Sequence, residues 1–222
     1  MWILIALPLT LILLVLVNCY LQKDLIFRQQ TFKERLTAFL PSQPLYIVFL
    51  IVVFFAGIVS FGSQYHFFFD YVKAAKLTTL VLLLAPVAYI DFKSKTIPDK
   101  LLLAGLFVRS IFYVIEMFTK NREILDIFVS DLKGVLLGGG VFLLGALIAK
   151  NSIGIGDVKM YGVIGFYCGY SGTLASMLFS LFICFIASIV LLIFGKKDRK
   201  DTLPLAPFVL AGTFLVIFLG SY

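Results

Sequence analysis

The sequence predicts an all-α fold, a polytopic membrane bundle of about eight transmembrane helices. Of its 222 residues, 61% are hydrophobic and 14% are charged, whereas soluble domains have roughly 45–50% apolar and about 25% charged residues. The apolar residues form runs close to the ~20 residues that a helix needs to cross the hydrocarbon core. These runs lack the alternating pattern of a membrane β-barrel. We expect a single domain over residues 1–222.

Eight apolar runs, separated by short charged loops, give the elements in order. The first lacks the basic start and the cleavage site of a signal peptide, so we interpret it as a retained anchor. The sixth is the shortest, and glycines dilute its hydrophobicity. Gly134 and Gly138, like Gly165 and Gly169, have the four-residue spacing that lets membrane helices pack closely. The runs are Trp2–Leu21, Leu45–Gly62, Ala74–Ile90, Leu101–Phe118, Leu132–Ala149, Val158–Tyr170, Leu174–Phe194 and Leu205–Gly220.

Lys and Arg residues are distributed unevenly between the two sides of this bundle. Thirteen of the 19 lie in loops 22–44, 91–100, 150–159 and 195–204. Five lie on the opposite side, and Arg109 lies within a helix. The positive-inside rule therefore places the first set of loops in the cytoplasm. Eight spans then leave both termini on the outer side.

The composition also excludes several kinds of site. The net charge of +7 comes from loop residues that set the topology, and no basic patch with interleaved aromatic residues indicates nucleic-acid binding. Cys19, Cys168 and Cys184 form no C-x-x-C pair, and His66 is the only histidine. These residues do not have the spacing of a zinc site or a disulfide framework. We expect a lipid bilayer around the protein, no nucleic acid, no cofactor and no metal.

Two acidic residues stand at the ends of apolar segments on the predicted cytoplasmic side. Asp91 follows the third run and precedes Ile97-Pro98, which predicts a structured turn because the residue before proline disfavours helix. Asp157 opens the sixth segment after Gly154 and Gly156, which allow close backbone approach. Each aspartate alone is also compatible with a solvated helix end or an N-cap. Together, carboxylates at membrane depth indicate a functional site.

A pair of carboxyl groups within hydrogen-bonding distance has a defined chemistry. The two cannot both be ionised at neutral pH, so they share one proton. The ionised member takes a proton from an attacking water while the protonated member polarises a carbonyl oxygen. Asp91 and Asp157 are therefore the predicted catalytic residues of an aspartyl protease.

With these motifs, the sequence resembles the type IV prepilin leader peptidases, which are bacterial GxGD-class membrane aspartyl proteases. Asp91 and the Ile97-Pro98-Asp99 turn match the first motif of that family. Gly154-x-Gly156-Asp157-x-Lys159 matches its second motif, and Leu203-Pro204-Leu-Ala-Pro207-Phe208 is similar to a third segment. The resemblance covers roughly residues 75–220.

The resemblance implies cleavage of the basic leader of type IV prepilins or pseudopilin-like proteins, at the cytoplasmic face of the bacterial plasma membrane. Many family members also carry a zinc-binding cytoplasmic domain with two C-x-x-C pairs and methylate the new amino terminus. The loop 22–44 contains no cysteine, so methyltransferase activity is not predicted. A presenilin-like intramembrane protease and a proton-coupled transporter with paired carboxylates remain alternatives.

Five other polar residues lie in or beside the apolar runs. Lys159 and Lys95 could act on the aspartate pair or on substrate, or could only set the topology. Arg109 lies in the middle of the fourth run with Glu116 two turns later on the same face. Because a buried charge in a membrane needs a partner, we expect a structural role and an internal ion pair for Arg109. Tyr89 is expected to pack rather than to react.

Overall fold

A computed structural model describes residues 2–22, 44–120, 123–148, 154–194 and 203–220. The regular structure of these residues is entirely helical, and the chain divides into two compact units, Met1–Pro86 and Val87–Tyr222. The helices are α1 (Ile3–Leu21), α2 (Pro44–Phe68), α3 (Tyr71–Ser94), α4 (Asp99–Thr119), α5 (Ile124–Ile148), α6 (Ile155–Ile193) and α7 (Ala206–Leu219).

The helices have the length and composition of membrane spans. Among the described residues, α1 to α6 are each long and apolar enough to cross a membrane, and α7 is a shorter apolar helix of 14 residues. Many large apolar side chains are exposed on these helices, among them Leu4, Leu136 and Phe182. Such exposure is costly in water and is expected in lipid. The predicted fold class, a polytopic membrane helix bundle, is confirmed.

The first unit is held together by close contacts of small residues and by one buried polar pair. The Tyr46 hydroxyl donates a hydrogen bond of 2.8 Å to the Asn18 side-chain oxygen. A Cβ atom at Gly57 would lie 2.8 Å from Thr10 Cγ2, so α1 and α2 approach closely there. This is the small-residue packing that replaces the hydrophobic effect between helices in lipid.

In the second unit, α6 turns back on itself at Gly169. This glycine has φ 67° and ψ −168°, a conformation that only glycine adopts readily. Tyr161 and Thr173 both have atoms within 3.3 Å of the point where a Cβ of Gly138 would lie. Twelve residues of continuous helix would separate them by about 18 Å. The two halves of α6 therefore lie side by side, as predicted for the sixth and seventh runs.

Glycines allow α5 to pack closely against both halves of α6. A Cβ atom at Gly134 would lie 2.6 Å from the Gly169 carbonyl oxygen, and a Cβ at Gly138 would lie 2.9 Å from the Tyr161 carbonyl oxygen. No side chain fits into these spaces without a backbone shift. The close helix packing predicted from the two glycine pairs is thus confirmed. Phe142 of α5 stacks on the Tyr161 ring, with 4.2 Å between ring centroids.

Arg109 holds three helices together in the membrane-embedded part of this unit. Its side chain, 1% exposed, forms an ion pair of 2.8 Å with Glu116 and a second with Asp131 of α5. Its Nε donates to the Phe166 carbonyl oxygen in α6. That carbonyl lies in the last turn before Gly169, so Arg109 also caps the first half of α6. The predicted internal ion pair of Arg109 is confirmed.

Candidate active site

Four helix ends meet at one end of the second unit: α3 ends there, and α4, α6 and α7 begin there. Asp91 lies in the last turn of α3, which ends where Lys95 adopts a left-handed conformation with φ 53°. The side chain of Asp91 points toward the start of α7, and the residue is only 5% exposed. Its Oδ2 accepts a 2.9 Å hydrogen bond from the Ala206 backbone N–H. The positive end of the α7 dipole thus faces this buried carboxylate.

Asp157 is the third residue of α6 and is held by the glycine that precedes the helix. Gly154 has an extended backbone and caps the helix. Its carbonyl oxygen accepts the Asp157 N–H at 3.0 Å, and its own N–H donates to Asp157 Oδ2 at 3.3 Å. The second bond is the half of a capping box that a residue at the third helical position provides, while the first is a backbone turn bond, because glycine has no side chain. Asp157 is partly exposed, whereas Asp91 is buried.

The two aspartates, far apart in the sequence, are brought together. The Asp91 carboxylate is close enough to Asp157 to act on it electrostatically. One carboxyl group is buried and bound to a helix N-terminus, and the other faces the open side of the site. Carboxyl groups that interact titrate as a coupled pair, and their different surroundings decide which of them holds the proton.

The two sequence motifs contact each other at two further points. A Cβ atom at Gly156 would lie 2.9 Å from Ile97 Cβ, so the missing side chain makes room for the Ile-Pro turn. Pro98 ends that turn with an extended backbone and caps α4. The Lys159 Nζ then forms an ion pair of 2.9 Å with Asp99, the first residue of α4. The Asp91 and Asp157 motifs are therefore in contact at Gly156 and Ile97 and again at Lys159 and Asp99.

The other predicted polar residues lie around this centre. Lys159 contacts Asp99, and both side chains are at least half exposed. Lys93 places its Nζ 4.4 Å from the centre of the Tyr89 ring, which agrees with a packing role for Tyr89. Within the described part of the chain, no group of three or more His, Cys, Asp or Glu residues is arranged to hold a metal ion.

The sequence is matched over residues 78–195 by the model of the type IV leader peptidase family. That range covers more than half of the chain and contains both aspartates. The chain belongs to this family. The matched range includes both the Asp91 and the Asp157 motifs in full.

Three relatives, each called a prepilin leader peptidase/N-methyltransferase, are similar in sequence to this chain. The protein from Bacillus subtilis (strain 168) is 27% identical over 143 residues, which are 64% of this chain and 54% of the relative. Those from Xanthomonas campestris pv. campestris and Legionella pneumophila are 23% and 25% identical, over 81% and 74% of this chain. The matched parts are 62% and 56% of these two relatives, so the chain spans little more than half of their lengths. No solved structure matches the chain.

The sequence does not reveal that the backbone N–H of Ala206 belongs to the site, and it does not reveal the partner of Asp99. The Ala206 N–H, which binds Asp91, is a backbone group, so no residue type reveals it. The signal was the family-like segment at the start of the last helix, where Pro204 and Pro207 flank Ala206. Asp99 was seen as part of the first motif, but its partner Lys159 became evident only in the folded chain.

Proposed function

We propose that this chain is a membrane aspartyl endopeptidase that cleaves the leader peptide of type IV prepilin-like proteins. One observation carries the proposal: Asp91 and Asp157 lie close enough to interact electrostatically at one end of the second unit, inside the region matched by the leader peptidase family. Paired carboxylates at the ends of membrane helices need a functional explanation, because charge at that depth is costly.

The proposed reaction uses a water molecule held between the two aspartates. The ionised carboxylate removes a proton from the water, whose oxygen forms a bond to the scissile carbonyl carbon. The protonated carboxyl group gives its proton to the carbonyl oxygen, which stabilises the tetrahedral intermediate. Collapse of the intermediate breaks the C–N bond: the leaving amine takes up the proton that the base gained from the water, and one hydroxyl group of the intermediate returns its proton to the second aspartate, which restores the pair.

The Ala206 N–H suggests how the two roles are divided. A hydrogen bond from a helix N-terminus stabilises a carboxylate in its ionised form. The Gly154 N–H makes a similar bond to Asp157, but at 3.3 Å it is longer than the 2.9 Å bond to Asp91, so we assign the base to Asp91. Asp157, which is partly exposed beside it, is the proposed proton donor to the substrate carbonyl.

The location of the site suits a substrate with a basic leader and an apolar helix. The positive-inside rule assigns loops 91–100 and 150–159 to the cytoplasm, so both aspartates lie at the inner surface of the membrane in this proposal. A substrate helix that crosses the bilayer would place the bond before it at that surface. The membrane proposed is the bacterial cytoplasmic membrane.

The proposal is confined to the peptidase reaction. The names of the relatives include N-methyltransferase activity, and the chain spans only part of their length. The segment 22–44, which lies outside the described residues except at its ends, contains no cysteine pair for the zinc-binding domain. Methylation of the product is not proposed.

The decisive experiment replaces each aspartate with asparagine. D91N and D157N keep the size of the side chain and an oxygen that accepts the Ala206 or Gly154 N–H. Each variant is expected to lower kcat by at least about 1,000-fold, because an amide can neither share nor accept the proton. The measurement is cleavage of a prepilin-type substrate in vesicles that contain matched amounts of enzyme.

D126N supplies the control, since it makes the same chemical change at an exposed aspartate in the first turn of α5. Its activity should equal that of the unmodified chain. Full cleavage by either D91N or D157N would remove that residue from the mechanism. Proton flux through the unmodified chain without any cleavage would favour the transporter alternative.

A further inference from the structure

A groove between α4 and the first half of α6 begins at the Asp99–Lys159 ion pair and runs into the apolar part of the unit. It has a volume of about 290 Å³ and opens toward the surroundings of the bundle. Its walls are almost entirely apolar. The apolar lining residues are Leu102, Leu103, Leu106, Gly162, Val163 and Phe166.

The walls are two matched stripes on parallel helices. On each helix the lining residues follow the spacing i, i+3, i+4, i+7, which is one helix face. The stripes begin at Asp99 and Lys159, the ion pair that joins the first turns of the two helices. Seven residues of helix extend about 10 Å. The groove is thus a straight apolar channel two turns long, with charge only at the end near Asp157.

Gly162 leaves the middle of the channel open. A Cβ atom at this position would meet no other atom within 4 Å, although Gly162 is only partly exposed. By contrast, Gly134 of α5 and Gly165 of α6 are closely packed against other backbone. In lipid, small residues mark the places where a second helix approaches closely. At Gly162, the described helices of this unit leave such a position without a neighbouring helix.

Resting on the function proposed above, we propose that this channel binds the first two turns of the substrate's apolar helix, directly after the scissile bond. Asp157 and Lys159 both lie near the start of α6, so the aspartates and the charged end of the channel are at the same level of the bundle, and the apolar walls extend from that level. The side chain of Asp99 is 60% exposed, so it can also contact a cationic residue of the leader. The order of charge and apolar surface thus matches a basic leader followed by an apolar helix.

The test fills the channel at Gly162. G162A and G162L add side chains of increasing size, and alanine or leucine is a better helix former than glycine, so the variants should fold. G140L is the matched control, because Gly140 of α5 is also a partly exposed helical glycine with no atom within 4 Å of its Cβ position. The substrate is a synthetic chain with a basic leader, a glycine and an apolar helix of about 20 residues, in phosphatidylethanolamine–phosphatidylglycerol vesicles.

We expect G162L to lower kcat/KM at least ten-fold, mainly through a higher KM, with a smaller effect for G162A. G140L should match the unmodified chain. Equal kinetics for G162L and G140L would overturn the channel as a binding site. So would a loss that falls wholly on kcat.

Cross-linking provides a readout that is independent of turnover. In the D157N background, p-benzoylphenylalanine placed at Leu103 should capture the substrate helix, whereas the same group at Leu136 should not. The two positions are 64% and 66% exposed. Capture of phospholipid alone at Leu103 would overturn the proposal and assign the channel to an acyl chain. If the unmodified chain fails to cleave the substrate, the proposed function falls, while the cross-link still reports whether the channel binds it.

Discussion

At the level of single residues, the site is built from contacts between the two motifs. The aspartates interact with each other, Gly156 packs against Ile97, and Lys159 pairs with Asp99. The exposed ion pair contributes at most about 1 kcal/mol to stability. The contact between Gly156 and Ile97 tolerates less change, because a carbon atom added to Gly156 has no space. Gly156 therefore sets how closely the Asp91 and Asp157 motifs approach.

The variant G156A, which adds a single carbon atom, tests this role of Gly156. The added Cβ would lie 2.9 Å from Ile97 Cβ, so the start of α6 must move away from the Ile-Pro turn. A shift of this size in an active site lowers kcat/KM by about ten- to a hundred-fold. Prepilin-type cleavage measures the loss. G140A, which adds the same atom in open space, should retain full activity, and equal activity of the two variants would refute the contact.

At the level of elements, the second unit depends on the reversal of α6 and on Arg109, which stabilises it. The reversal leaves the last carbonyl groups of the first half without helical partners. Arg109 binds one of them, that of Phe166, and neutralises charge from Glu116 and Asp131. The Tyr113 hydroxyl donates a further hydrogen bond of 2.6 Å to Asp131. A planar guanidinium with donors in several directions suits this arrangement better than an ammonium group.

Removing the Arg109 charge should destabilise the unit strongly. R109Q leaves Glu116 and Asp131 buried without their cation, and breaking a buried ion pair costs about 3–5 kcal/mol. We expect R109Q to lower the free energy of unfolding in mixed micelles by this amount. The triple variant R109Q/E116Q/D131N carries no charge in the cluster and should regain part of the loss. A triple variant less stable than R109Q would show that charge is not the cause.

At the level of the whole molecule, the distribution of Lys and Arg predicts which side of the membrane carries the aspartates. Labelling of single cysteines tests this in a background without Cys19, Cys168 and Cys184. In intact cells, a membrane-impermeant maleimide should label T119C, at the far end of α4, and should not label S94C, at the end of α3. Both positions are exposed. Permeabilised cells should show labelling of both, and the reverse pattern in intact cells would place the aspartates outside.

The composition and the apolar runs predicted the fold class and most of the membrane helices, and the motifs identified Asp91 and Asp157 as the candidate catalytic residues. Apolar runs predict membrane helices because lipid requires every backbone polar group to be satisfied within the helix. The ends of the membrane helices were predicted less accurately where a charged residue interrupts an apolar run. The fifth run was predicted to begin at Leu132, whereas α5 begins at Ile124 and includes Asp131, which pairs with Arg109. Hydropathy cannot anticipate such a partner.

The tertiary structure alone decided how the motifs meet. Asp91 is bound by a backbone N–H of α7, which no side chain in the sequence signals. Lys159 faces Asp99, and the channel beside them exists only because α4 and α6 start together and run side by side. Local sequence sets helix propensity and membrane depth. Contacts between residues distant in the chain depend on the packing of whole helices, which is a property of the assembled bundle.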